Sequence, residues 1–580
     1  MHRDILKLIL KSLIIEAFII FTYIFLINNY IGNVDNTINA DGIGYYDYLP
    51  SIFIHNDLIR KDIPIQEDSS AYNRINALGV YVDYEGYKVN KYPSGTALLQ
   101  LPFFIFTYLT TDLKDADKDG YQRPFQKTVF HAALFYLFLS IIFLRKTLEQ
   151  FEIKKYSIVF AQVLLVLATS VTSYANFDAG FSHVYSLFAI TAFLYFVKSY
   201  FNHRDHNQFL LACLFLGLIL LLRQINVLII LFIPFLAGSV SNLKEGIIRL
   251  FKYPEKLIIG IFIVFGMFFI QALLWYLQAG SFIIYSYPGE SFDFTNPEFF
   301  NILFSYRKGL FVYTPILFMG FIAVLWLGYK GKYYLTFTWL SFFVLLTYIL
   351  SSWWAWFYGN SYGLRAYIDY YAIFFIPLAL MLDRIVLPIR WAVISLSFLT
   401  IPLNIIQTYQ HNVYILHWFE MDSYKYWTVF LKTEDRFKGL VWKRKYDYAQ
   451  YETIKEFSIG DISTAKGEAN QIFKINSSEI PGFENVCMIQ VLIDNDFQET
   501  NDSKIVMSID RSETYYNYYW HNIYLIHYLE TTFGESQTGL FNYEITPNSD
   551  GKAKTISLKM SIGNRDNSLK NVRIKFLTSK

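Results

Sequence analysis

Long apolar runs fill the first 410 residues, and short alternating ones fill the end of the chain. A bilayer core takes about 20 apolar residues in a helix. Runs near that length fall at 5–29, 127–145, 156–174, 183–200, 208–223, 224–240, 257–278, 309–328, 333–351, 367–385 and 389–408, which predicts eleven spanning helices. The pair 208–240 reads either as one broken helix or as a tight hairpin. Thr96 to Thr110 is apolar but short and holds Pro102, so a helix in or dipping into the interface is expected there. Glu16 lies inside the first run and is expected to face the bundle with a structural partner.

From about Tyr446 the pattern changes to a period of two. Strands are expected at Gln471–Ile475, Val486–Ile493, Lys504–Ile509, Tyr515–Ile526, Leu540–Ile545, Thr555–Ile562 and Val572–Leu577, divided by turn signals such as Pro547 to Gly551. Such a set suits a β-sandwich of jelly-roll type. The fold class expected is therefore a polytopic α-helical membrane protein with a C-terminal extracytoplasmic all-β domain. Its parts are a membrane domain 1–408, an aromatic bridge 409–445 carrying Trp418, Trp427 and Trp442, and the β domain 446–580. The outer loop 32–126 would carry interfacial helices. The cluster Tyr515-Tyr516-Asn517-Tyr518-Tyr519-Trp520 either stacks on sugar rings or packs as ordinary strand positions.

Basic residues orient the spans. With Arg3, Lys7 and Lys11 inside, eleven crossings put Arg145 to Lys155, Arg204, Lys244 to Lys256, Lys330, Lys332, Arg384 and Arg390 inside too. The loops 32–96, 175–182, 279–308 and 352–366 then lie outside, with everything after about 409. That is the topology of an inner-membrane protein with a cytoplasmic N-terminus. The first run is too long for a cleavable signal.

Composition supports this reading. The 580-residue chain is 54% hydrophobic and 17% charged, against about 25% charged for a soluble domain. A net charge of +2 and the lack of a basic stripe or zinc-finger spacing point away from nucleic acid. Cys213 and Cys487 are far apart and form no metal or disulfide pattern.

Candidate chemistry gathers in the outer loops. Asp41 and Asp47 stand six residues apart among glycines and tyrosines, and the same loop closes on Asn90-Lys91-Tyr92-Pro93-Ser94-Gly95. An acid held at the bilayer surface can take a proton from an incoming hydroxyl or amine, or ligate a divalent cation. The next outer loop holds Asp178 and His183, which suit a shared metal or phosphate. Arg223, Arg307 and Arg365 stand at the same face, the last two beside Gly309 and Gly363. Guanidinium groups and nearby glycine backbone suit a phosphate. Acid, cations and aromatics together suit glycosyl transfer from a lipid-linked phosphosugar, in which the cations stabilise the leaving phosphate.

These residues resemble those of the GT-C superfamily of integral-membrane glycosyltransferases, in the branch of the protein O-mannosyltransferases and the lipid A aminoarabinose transferases. The resemblance spans about 1–410. It is carried by Asp41 after the first span, Lys91-Tyr92-Pro93 in place of a Lys-Pro motif, Asp178 in the second outer loop, and the strings Phe181 to Val184, Gly309 to Pro315 and Gly359 to Arg365. Two positions depart from it. Asn90 stands where an acid often precedes the lysine, and Asp41-Gly42 replaces an Asp-Glu pair.

The resemblance implies an inverting transferase that uses a polyprenyl-phosphate sugar donor and a glycan, lipid or protein acceptor. Asp41 would be the base. Lys91 and Arg365, then Arg223 and Arg307, would hold the donor phosphate. Asp178 and His183, with Asp47, would orient the acceptor or bind a divalent cation. Two other readings stay open: a polymerase or ligase that joins preassembled lipid-linked chains, and a transporter or scaffold with a glycan-binding tail.

Overall fold

The structure is a computed structural model of the chain. It describes residues 2–32, 36–58, 79–111, 119–419, 421–434, 437–438, 441, 448–464, 469–494, 504–511, 517–524, 538–545, 553–561 and 567–580. Two compact units emerge, one of residues 1–64 and 83–433 and one of residues 65–82 and 434–580.

The first unit is helical. Its helices include α1 (His2–Leu26), α2 (Asp41–Tyr46), α3 (Tyr48–Phe53), α4 (Gly95–Thr110), α5 (Arg123–Glu149), α6 (Lys155–Leu167), α7 (His183–His203), α8 (His206–Leu222), α9 (Val240–Lys252), α10 (Pro254–Ala279), α11 (Ile316–Tyr329), α12 (Tyr333–Ser351), α13 (Ala372–Arg384) and α14 (Leu387–Asn412). Helices α7 and α13 are sheathed by the others, and nearly every side chain on them is buried. Pro254 opens α10 at its first turn, and Gly280 closes it at φ 71 in the left-handed region.

Each expected span coincides with a helical segment. Among the described residues, six helices are long and apolar enough to cross a bilayer: Leu13–Ile31, Arg123–Glu149, His183–His203, Pro254–Ala279, Tyr333–Ser351 and Leu387–Asn412. The other runs are shorter as helix, for local reasons. The run 156–174 leaves the α-helix after Leu167, where Thr169 turns its hydroxyl back onto the Leu165 carbonyl at 2.6 Å. The run 208–240 breaks at Arg223, continues as a 3-10 turn over Gln224–Phe232, and bends by 119° at Gly238 into α9. The run 309–328 becomes regular helix only after Pro315.

Residues 95–110 form a single helix, α4, with Pro102 inside it and too short to count among the spanning helices. Glu16 has its partner: Arg145 Nε lies 2.6 Å from its carboxylate, and Gln162 donates to the same oxygen at 2.8 Å. The aromatic bridge up to residue 433 belongs to this unit. Trp418 donates to the His411 carbonyl at 2.9 Å and Trp427 to the Tyr306 hydroxyl at 3.1 Å, whereas Trp442 lies outside the described residues.

The second unit carries two antiparallel four-stranded sheets. Its strands are β1 (Tyr451–Thr464), β2 (Ala469–Asn476), β3 (Met488–Asp494), β4 (Lys504–Arg511), β5 (Asn517–Tyr524), β6 (Thr538–Glu544), β7 (Ala553–Ser561) and β8 (Asn567–Ser579). The strand orders are β1-β8-β3-β6 and β2-β7-β4-β5. In register, Ile574 faces Phe457 on one side and Val491 on the other. Alternate residues such as Ile489, Val491 and Ile493, or Ile505, Met507 and Ile509, enter one shared core. Tyr543 of the first sheet donates to the Ile505 carbonyl of the second at 3.0 Å.

All seven expected strands are present, and β1 is additional. It is an edge strand whose charged residues Glu452, Lys455, Glu456 and Asp461 blunt its alternation. Tyr515 and Tyr516 of the aromatic cluster lie outside the described residues, and Asn517 to Trp520 begin β5.

Candidate functional site

The site begins where two backbone segments nearly touch. A Cβ on Gly42 would lie 3.1 Å from the Gly180 backbone, and one on Gly180 would lie 3.0 Å from the Thr37 carbonyl. Gly180 donates its N–H to that carbonyl at 3.2 Å, and the Asn39 amide donates to the Phe177 carbonyl at 2.8 Å. These contacts join the segments that carry Asp41 and Asp178. Ala40, just before Asp41, is held at φ 42 and ψ −128, a conformation that costs energy for a residue with a Cβ.

The other end of the same loop is fixed to α8. A Cβ on Gly95 would lie 2.6 Å from the Leu221 backbone, so only glycine allows this approach. Ser94 N–H donates to Gln271 of α10 at 2.7 Å. The Asn90 amide donates to the Gly44 carbonyl at 2.8 Å, and Tyr92 fills the space beside Gly44. The loop thus folds back on itself and sets Lys91 and Tyr92 near Asp41. It also sets them against the helix that ends at Arg223.

Asp41 is engaged on both oxygens. Arg365 Nη1 lies 2.6 Å from Oδ2, and the Tyr92 hydroxyl donates to Oδ1 at 3.0 Å. Burial pushes its carboxyl up, but Arg365 and then Lys91 outweigh it, and the net direction is down from the ordinary value. Asp41 keeps 29% of its side-chain surface and Arg365 16%, so both remain within reach of a ligand. Lys91 pairs with Glu290 at 3.6 Å and stands near the rings of Tyr92 and Tyr287. The Tyr45 ring packs on that of Tyr92, with centres 4.8 Å apart, so phenol rings wall the group.

Asp178 is different. It is buried and has no ion pair among the described residues. Burial raises its carboxyl to about 7, against the pull of Arg365 and with the push of Asp41. A carboxyl near neutrality can both give and take a hydrogen bond as its proton moves.

Beneath Arg365 lies a second cluster. Asp369 is fully buried and holds three groups: His183 Nδ1 at 2.7 Å on Oδ1, and Arg223 Nη1 at 2.9 Å and the Asn226 amide at 2.6 Å on Oδ2. Arg223 keeps 15% of its side-chain surface, so it is anchored from below and open above.

The remaining candidates stand elsewhere. Asp47 is fully buried and accepts from Tyr121 at 2.5 Å and Ser51 at 3.1 Å, which ties its helix to the turn before α5. Arg307 lies against an aromatic clasp, 3.6 Å from the Phe357 ring centre and 4.7 Å from that of Phe419, and donates to the Phe419 carbonyl at 3.0 Å.

Several site residues were not singled out from sequence. Tyr92 and Glu290 look like ordinary loop residues. Lys308 is buried and donates to the Ser361 and Trp418 carbonyls. Burial, then Arg365 and Arg307, hold its ammonium well below the ordinary value. Asp369 did carry a signal: it is an acid inside the expected span 367–385, where an ionisable group is costly and needs a reason.

The residues do not form a cation cage. Asp41 is already paired with Arg365, and among the described residues no group of three His, Cys, Asp or Glu side chains converges.

No family model matches the sequence, and no curated protein matches it. Among solved structures the chain is similar to the oligosaccharyltransferase AglB of Archaeoglobus fulgidus, in complex with an inhibitory peptide and a dolichol-phosphate (13% identity, TM-score 0.40, 69% of this chain and 55% of that one). It is similar to ArnT of Cupriavidus metallidurans in the apo state (13% identity, TM-score 0.39, 61% of this chain and 57% of that one). A third neighbour is the Archaeoglobus fulgidus oligosaccharyltransferase in complex with zinc and sulfate (12% identity, TM-score 0.38, 68% and 52%). The chain spans a little over half the length of these neighbours.

Proposed function

We propose that the chain is a membrane glycosyltransferase that moves a sugar from a polyprenyl-phosphate donor to an extracytoplasmic glycan, lipid or protein acceptor. One observation carries this reading. A single acid, Asp41, is held by Arg365 with Lys91 close by, next to a second arginine anchored by Asp369. The set is partly open and walled by tyrosines.

The chemistry follows from charge. The donor phosphate docks on Arg365, Arg223 and Lys91. As it takes up the charge of Arg365, Asp41 loses its counter-ion and becomes a better base. Asp41 then accepts the proton of the acceptor hydroxyl or amine. The acceptor atom bonds to the anomeric carbon from the face opposite the phosphate. The carbon–oxygen bond to phosphate breaks, and its electron pair leaves on the lipid phosphate, stabilised by the three cations. The configuration inverts. Asp178 orients the acceptor through a hydrogen bond, and the tyrosines exclude water and stack on the sugar.

His183 supports Arg223 from below through Asp369. Asp47 acts as a structural tie, and Arg307 fixes the aromatic wall. The strand orders β1-β8-β3-β6 and β2-β7-β4-β5 support reading the β unit as a jelly roll, and the pattern of basic residues supports a cytoplasmic N-terminus with an extracytoplasmic C-terminal unit. Mass spectrometry of cell-envelope glycans with and without the gene tests the function. Loss of a sugar from one glycan is expected. An unchanged envelope, or loss of whole blocks instead of single sugars, overturns it.

A further inference from the structure

Helix α9 was expected to be no more than a basic turn between two spans. It is thirteen residues long and lies at 119° to the helical segment before it. Ser239 caps it by accepting from the Asn242 N–H at 3.1 Å, so the helix is locally specified and is no stray coil. One face packs inward. Gly246 sits against the Phe201 ring, and Asn242 bonds to Arg204 and to the Ala237 carbonyl. The tyrosine that follows the helix, Tyr253, packs against His206.

Among the described residues, none packs on the opposite face. Val240, Ile248 and Phe251 are 66%, 55% and 70% exposed, and Ile247 is exposed beside them. Lys244 and Lys252 are exposed beside that face, Arg249 stands on the side toward Tyr253, and Lys256 follows one turn on. Among the described residues none of these four has a carboxylate partner, since the Glu245 carboxylate pairs with Arg204 instead, at 3.6 Å. Arg249 extends over Tyr253, and its Nε, like both ring nitrogens of neighbouring His206, finds no acceptor.

We infer that α9 lies along the membrane surface and binds the headgroups of anionic phospholipid. Its exposed apolar residues enter the acyl region, as in surface-lying amphipathic helices. Lys244 and Lys252, with the Arg249 guanidinium near them, take the lipid phosphate. Charge complementarity selects the occupant: a wholly apolar face would accept any lipid, whereas four unpaired cations favour a negatively charged one. This surface is separate from the residues around Asp41, so the inference does not depend on the proposed reaction.

The test uses the purified full-length chain in detergent, titrated with phosphatidylglycerol, with phosphatidylcholine or with inorganic phosphate, and read by native mass spectrometry. Wild type should retain phosphatidylglycerol at least about tenfold better than phosphatidylcholine. Lys244→Gln with Lys252→Gln should erase most of that preference; both side chains are exposed, so the fold is not at stake. Adding Arg249→Gln should erase the rest. Equal retention of the two lipids by wild type, an unchanged ratio in the variants, or displacement by equimolar inorganic phosphate would each overturn the assignment.

Discussion

Arg365 Nη1 meets Asp41 Oδ2 at 2.6 Å, joining an acid from the first long loop to an arginine from near the other end of the helical unit. The pair locks a partly open acid between the Arg365 guanidinium and the Tyr92 hydroxyl. It also makes that acid a poor base until something else engages the arginine.

Asp41→Asn should therefore lower sugar transfer in isolated membranes by about 100-fold or more, the range of a lost general base. Lys91→Ala should weaken donor use more than the chemical step, seen as a raised KM for the lipid donor. Wild-type rates in both variants would end the assignment of the site.

Asp369 touches no part of the open surface, yet it aims Arg223. Asp369→Asn keeps the shape and removes the charge that holds the guanidinium. A hydrogen bond to a charged group contributes about 1.5–3 kcal/mol. The expected result is a rise of about 10- to 100-fold in KM for the donor with a smaller change in kcat. An equal fall in kcat with KM unmoved would mean that Asp369 acts otherwise.

Asp178 makes stability depend on pH. Its carboxyl titrates near 7 when folded, above its ordinary value of 3.8. Between roughly pH 4 and 7 the folded chain binds the proton more strongly than the unfolded chain. Folding stability from this group therefore falls as pH rises through that window, and the full cost is present above 7. Asp178→Asn should melt higher than wild type at pH 8, by no more than about 4 kcal/mol, and close to wild type at pH 4. Asp41 titrates below this window and leaves the comparison clean. A difference that stays flat across the two pH values would contradict the burial of Asp178.

Gly95 is where the long loop docks on α8. Gly95→Ala places a methyl 2.6 Å from the Leu221 backbone, which cannot rotate away. Overpacking of this kind costs about 1–3 kcal/mol. A lower melting temperature and reduced transfer are expected together, because the shift moves Lys91 away from Arg223. Gly266→Ala, in open space on α10, is the matched control and should change neither.

The apolar runs gave the helical unit, because burying or bathing some twenty apolar residues in lipid leaves few other options. Period-two alternation likewise gave seven strands of the β unit. It passed over β1, whose charged edge blurs the pattern. Glu16 could be assigned a partner in advance, since an acid among apolar helices must have one. The sequence also marked Asp41, Lys91, Asp178, His183, Arg223 and Arg365 as residues with chemistry. It could not say which of them meet.

Pairing is a property of contacts between distant segments, and those contacts rest on glycines. Gly42 lies against Gly180, and Gly95 against Leu221. No spacing along the chain reports such an approach. The same is true of Asp47 and Arg307, which carry the right groups but spend them on Tyr121 and on an aromatic clasp. The chain determined its elements and its stock of charges. Only the tertiary structure decided that Asp41 answers to Arg365 and that Asp369, hidden in an apolar run, holds Arg223 and His183. The physical reason is that a charge's role is set by the neighbours that replace its water, and folding chooses those neighbours.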